Sequence, residues 1–115
     1  MAQSRVSEWR VVREQLRMRD GTKLATTVFL PLADISYPIV LERTAYSRML
    51  DTDSDRAGNS YLYAPFSPND GIGLVVQDCR GRYGSEGLYE PFRFEAEDGY
   101  DTLEWILGPK PQYRP

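Results

Sequence analysis

Residues of this chain that could do chemistry fall in two stretches. Asp51-Thr52-Asp53-Ser54-Asp55 sets three carboxylates at alternate positions, as a calcium loop opens. Such a loop needs Gly at its sixth position for the sharp turn and a bidentate Glu at its twelfth. Arg56 and Leu62 stand there, so the stretch reads as an acidic surface loop. In the second stretch Gly81, Gly84 and Gly87 follow an apolar run. Their spacing is not that of a dinucleotide or phosphate loop, and they read as glycines that let a loop turn sharply. Ser85 lies in Gly84-Ser85-Glu86-Gly87, but a nucleophile elbow requires Gly two residues before its serine, and position 83 is Tyr.

The chain contains no histidine, so no serine or cysteine within it has an imidazole base. Cys79, the single cysteine, stands at a strand end and suits packing; no internal disulfide is possible. With His absent and Cys single, no metal-ligand cluster survives, and no cofactor is expected. Asp78 ends an apolar run where α/β active sites lie, yet its expected role is to pair with Arg80 or to cap N–H groups of the glycine loop.

At 115 residues the chain is one domain or part of one. Its hydrophobic fraction of 41% and eight tyrosines place it among packed proteins rather than disordered ones. Residues 1–50 carry eight basic and five acidic side chains; residues 51–115 carry six and twelve. No basic tract is dense enough for nucleic acid. Arg10, Arg13, Arg17 and Arg19 read as the wet face of strands. No apolar run is long enough for a bilayer and no signal core opens the chain, so the expectation is a soluble cytoplasmic protein.

The elements that must position these residues follow from pattern. Residues 9–18 alternate and 24–30 are rich in Thr, Val and Phe, with Asp20-Gly21 between them, which predicts a hairpin. Pro31 ends its second strand by removing a ladder donor. Pro38-Ile39-Val40-Leu41 and Gly73-Leu74-Val75-Val76-Gln77 are continuous apolar runs, the pattern of strands buried on both faces. The stretch 46–70 is polar and irregular, with a helical turn expected near 61–64. Residues 95–107 predict a helix whose buried face is Ala96, Tyr100, Leu103 and Leu107. Glu95, Glu97 and Asp98 favour its N-terminus, and Gly108-Pro109 stops it. Hairpin, buried strands and helix make an α/β pattern with a mixed sheet.

Four segments in order carry a resemblance. They are Met18-Arg19-Asp20-Gly21-Thr22-Lys23-Leu24-Ala25-Thr26 with Val28-Phe29-Leu30-Pro31, Tyr37 through Tyr46, Val75 through Arg82 with Ser85-Glu86-Gly87, and Glu97 through Ile106. Over about residues 16–106 the chain resembles the CocE/NonD hydrolases of the X-Pro dipeptidyl-peptidase (S15) group. The resemblance implies the N-terminal portion of an α/β-hydrolase fold. It also implies a serine hydrolase of esterase or acyl-peptide hydrolase type, acting on small-molecule esters, amides or peptides through an acyl-serine. In that family the tyrosine of the R-T-x-Y motif lends its hydroxyl to the oxyanion hole, and Tyr46 matches it; Ala45 replaces the usual proline. The family's serine, aspartate and histidine have no counterparts here.

Residues 107–115 match nothing in the family pattern, so the domain reads as a partial α/β-hydrolase domain over 1–115 with a divergent tail. A gene truncated or frameshifted near codon 107 is the expectation, and such a chain should be inactive alone. The resemblance places the 39–42 strand beside the strand leading to the nucleophile. Without that neighbour, Ile39, Val40 and Leu41 would form an apolar edge open to self-association. A non-catalytic remnant or interaction module pairing through that edge is the alternative.

Overall fold

The computed structural model describes residues 10–31, 37–46 and 71–109. Four strands and one helix run in the order β1 (Arg10–Arg17), β2 (Lys23–Leu30), β3 (Ile39–Thr44), β4 (Gly73–Asp78) and α1 (Glu95–Leu107). They form a mixed sheet in spatial order β1-β2-β4-β3. The expected hairpin is present: β1 and β2 pair antiparallel from Arg10↔Leu30 to Arg17↔Lys23. Its turn is closed by two backbone bonds, Met18 N–H to Thr22 O and Gly21 N–H to Met18 O, with Gly21 at φ 90. Asp20 adds an Asx-type bond by accepting the Thr22 N–H at 3.0 Å.

β4 is one of the two inner strands. It pairs antiparallel with β2 and parallel with β3, in register from Ile39↔Gly73 to Thr44↔Asp78. All six of its residues are buried, as its apolar run predicts. β3 differs. It is the terminal strand of the described sheet, and Ile39 and Val40 are 36% and 39% exposed, so the expectation of burial on both faces fails there. An apolar run reports strand formation; its burial depends on which neighbours the sheet supplies.

α1 lies on one face of the sheet. Trp105 and Ile106 pack against Val28, Leu30 and Val75 together with Val12, Tyr37 and Leu41, and Trp105 also reaches Leu16, Met18 and Leu24. A second cluster, Phe29, Leu74 and Val76 with Val11, occupies the opposite face. The alternation of β2 and β4 side chains between these clusters is the period-2 geometry of a strand. No helix among the described residues is long and apolar enough to cross a membrane.

The helix has its expected bounds but not its expected face. Ala96, Tyr100, Leu103 and Leu107 are exposed, Leu107 to 83%. The buried positions are instead Asp98 and Thr102, followed by the half-buried Trp105 and Ile106. The 3.6-residue period scored apolar side chains only, whereas this helix turns the polar Asp98 and Thr102 to the sheet along with Trp105 and Ile106. The expected turn at 61–64 and the acidic stretch 51–55 lie outside the described residues.

Between β4 and α1 the chain makes a tight loop. Gly81 (φ 75) and Gly87 (φ 93) occupy the left-handed region, while Gly84 is not among the positive-φ glycines. A Cβ on Gly81 would collide with the backbone of Leu88 and Tyr89, whereas one on Gly21 would meet only Arg17 Nη1 at 4.0 Å. Gly21→Ala should therefore carry only the left-handed backbone cost, about 1–2 kcal/mol. Gly81→Ala should lose about 1–3 kcal/mol beyond that, because the loop must open to admit the methyl group. Urea unfolding of the two variants, followed by circular dichroism, compares them; equal midpoints would refute the packing argument.

Candidate functional site

The C-terminal ends of the parallel strands β3 and β4 carry the residues singled out by sequence. Tyr46 lies two residues past β3 with its residue surface 71% exposed. Its position is set by backbone bonds. The Thr44 carbonyl accepts the Cys79 N–H at 2.9 Å, continuing the parallel ladder past β4. The Tyr46 N–H then donates to Thr44 Oγ1 at 3.0 Å, and Arg82 Nε donates to the Ala45 carbonyl at 2.8 Å.

The other nucleophile-like groups have structural work. Ser85 Oγ donates to the Asp78 carbonyl at 2.6 Å and accepts the Ala25 N–H at 2.8 Å, which fixes it between β2 and β4. Asp78 caps the glycine loop, as expected, by accepting the Gly84 N–H at 3.1 Å. The alternative Asp78–Arg80 pairing is replaced by contacts of Arg80 elsewhere, described below. Cys79 is buried, and that burial pushes its thiol up to about 11. A thiol so raised is almost entirely protonated at neutral pH and is a poor nucleophile. Among the described residues no group of three or more His, Cys, Asp or Glu could hold a metal ion.

What the sequence reading missed is the polar lattice beneath this end of the sheet. Asp98 on α1 is 2% exposed and receives Arg80 Nε at 2.9 Å and Arg80 Nη2 at 2.7 Å, a side-on bidentate pair. Arg80 also donates from Nη1 to Asp20 Oδ2 and to Thr22 Oγ1, both at 2.8 Å, in the hairpin turn. The hydrogen bond from Arg80, followed by the Thr22 N–H, holds the Asp20 carboxyl down at about 2. The same guanidinium lies 4.5 Å over the Phe94 ring.

Arg43 of β3 enters the lattice from the other side. Its Nη1 pairs with Glu95 Oε1, and its Nε donates to Gln77 Oε1 at 2.6 Å. Its Nη2 lies 3.9 Å from Asp98 Oδ2 and makes no hydrogen bond among the described residues. Gln77, fully buried in β4, joins three elements: its Oε1 also accepts from Thr102 Oγ1 at 3.1 Å, and its Nε2 donates to Thr26 Oγ1 at 3.0 Å. Midway along the helix Arg19 grips Asp101 through its backbone N–H and its guanidinium, and those bonds lower the Asp101 carboxyl. Two signals were present in the sequence: a Gln directly after the apolar run of β4, and the polar positions 95, 98 and 102 on one helix stripe.

Comparison with known proteins bears on this arrangement. The profile of the family described as X-Pro dipeptidyl-peptidase (S15 family) matches residues 20–113. A cocaine esterase from Rhodococcus sp. (strain MB1 Bresler) is 34% identical over 96 residues, covering 78% of this chain and 15% of that protein. Among solved structures, an aminopeptidase from a marine sediment Thaumarchaeota archaeon superposes with TM-score 0.67 at 30% identity, and an alpha-amino acid ester hydrolase with TM-score 0.64 at 31%. Each superposition covers 88% of this chain and 19% of the other. The chain thus spans under a fifth of the length of these relatives.

The lattice makes a direct prediction. Asp98→Ala leaves the buried face of Arg80 without its bidentate partner and removes the nearest countercharge of Arg43 Nη2. Breaking a buried pair on one side costs about 3–5 kcal/mol. Urea unfolding should show a loss in that range; a change below about 1 kcal/mol would mean that water or side-chain motion satisfies both guanidinium groups.

Proposed function

The chain belongs to the X-Pro dipeptidyl-peptidase (S15) family, of CocE/NonD hydrolase type, and from that premise we propose that it supplies the oxyanion-hole side of a serine hydrolase. Its substrates are small-molecule esters, amides or peptides, cleaved through an acyl-serine. The observation that carries this reading is Tyr46, an exposed hydroxyl-bearing side chain just past β3 on a loop tied to β4 and to Arg82. The loop after the third strand is where such hydrolases recruit a donor for the tetrahedral intermediate. A hydroxyl aimed at the developing oxyanion strengthens its bond as charge appears, so it acts on kcat.

The remaining chemistry lies outside these 115 residues. They contain no histidine to take the serine proton, Ser85 is committed to β2 and β4, and the Cys79 thiol is raised and buried. Residues 1–115 alone should therefore hydrolyse no p-nitrophenyl ester above background. When residues 20–113 replace the matching stretch of the Rhodococcus cocaine esterase, Tyr46→Phe should lower kcat about 10²–10³-fold with a much smaller change in KM. An unchanged kcat in an active chimera would sink the oxyanion assignment.

A second reading has its own observation. β3 exposes Ile39 and Val40 at the terminal position of the described sheet, and such an edge recruits another strand. As a non-catalytic interaction module the chain would pair two copies along β3. Val40→Lys would then shift sedimentation of the 115-residue chain from dimer to monomer, because a charge on an edge strand opposes strand addition. A wild-type chain that stays monomeric at high micromolar concentration would remove this reading.

A further inference from the structure

The Ala45 carbonyl and the Tyr46 N–H belong to one peptide unit, and both ends of that unit are held. Arg82 Nε binds the oxygen at 2.8 Å, and Thr44 Oγ1 binds the N–H at 3.0 Å. A peptide is planar, so holding its two polar ends fixes the orientation of the whole plate. That orientation fixes the Tyr46 N–Cα bond, so the Cβ can swing only about that one axis. Ala45 contributes no restriction of its own beyond that of any L-residue.

Arg82 is itself flanked by two aromatic rings. Its guanidinium lies 5.1 Å from the Tyr83 ring centroid and 4.9 Å from that of Tyr89. Tyr83 sits at φ 47, a left-handed conformation that a non-glycine residue adopts at a cost. The Arg82 backbone is pinned as well, its N–H donating to Cys79 O and its carbonyl accepting the Ser85 N–H, both at 2.9 Å. The hydrogen bond to Ala45 comes from Nε, the least mobile nitrogen of the guanidinium. This is the arrangement of a strut, with a base, two side walls and one load.

We infer that Arg82 is the positioning residue of Tyr46, holding the 45–46 peptide and with it the backbone from which the tyrosine side chain leaves. The inference deepens the oxyanion-hole reading and rests on it for its catalytic meaning. The clamp itself is a property of these residues alone. Arg82 touches no reacting atom; it acts through the backbone of Ala45.

The test is made on the 115-residue chain labelled with nitrogen-15, comparing wild type with Arg82→Met and Arg82→Lys. Met keeps the bulk of the side chain and loses every donor; Lys keeps the charge and loses Nε. The amide order parameter of Tyr46 should fall from near the rigid value of about 0.85 to below about 0.6 in both variants, while Leu24, Val75 and Val76 stay rigid. An unchanged Tyr46 order parameter in Arg82→Met would overturn the inference. Loss of order throughout β4 and α1 in both variants would overturn it too, since Arg82 would then hold the fold at large. Tyr46→Phe turnover in the esterase chimera decides the other half. If Tyr46 loosens without Arg82 but its hydroxyl does not affect kcat, the clamp stands and the oxyanion assignment falls; if the hydroxyl matters and Tyr46 stays rigid without Arg82, the reverse holds.

Discussion

Asp98 is a carboxylate withdrawn from water between two guanidinium groups, and the arrangement of the other elements depends on it. Removing such a charge from solvent costs several kcal/mol, repaid only when partners are well placed. Here the partners come from every part of the fold. Arg80 reaches it from the loop after β4 and carries the hairpin turn with it through Asp20 and Thr22. Arg43 approaches from β3 and brings Glu95 and Gln77. One helix position therefore locks four segments that lie far apart in sequence. The lattice specifies how the helix sits on the sheet more than it adds net stability, because a sliding or rotated helix would leave buried charges unpaired.

That division of labour changes how the motif residues are understood. Arg43, Gln77, Asp78, Arg80, Gly81, Ser85, Gly87 and Asp98 are mostly polar residues and glycines of the family-like segments. In three dimensions they are structural: ion pairs, caps and turns that brace one end of the sheet. Tyr46, by contrast, leaves its side chain exposed just past β3. The raised Cys79 thiol at the end of β4 reflects its burial.

Much of the fold was legible in the residues. Asp20-Gly21 between two alternating runs marks a hairpin because only certain turns match strand twist, and Gly accepts their backbone angles. The helix bounds follow from acidic residues at 95–98 and Gly108-Pro109 beyond Leu107. The role of Asp78 as a loop cap was anticipated for the same local reason. The face of α1 was not legible, because apolar periodicity assumes an apolar interface, and this one begins with Asp98 and Thr102. The exposure of Ile39 and Val40 was not legible from their own apolar run either, since burial of a strand is decided by its neighbours.

The sequence by itself determined the strands, the turn, the helix, the absence of an imidazole base and the four segments that place the chain among the S15 hydrolases. These are local patterns or inventories, and no contact between distant residues is needed to read them. Only the tertiary structure decided which charges are buried, where Arg80, Arg43 and Arg82 end, and therefore what the 45–46 peptide is bonded to. Those partnerships join positions up to 60 residues apart, as between Arg80 and Asp20. Each side chain has several chemically acceptable partners until the sheet and helix bring one of them within hydrogen-bond reach.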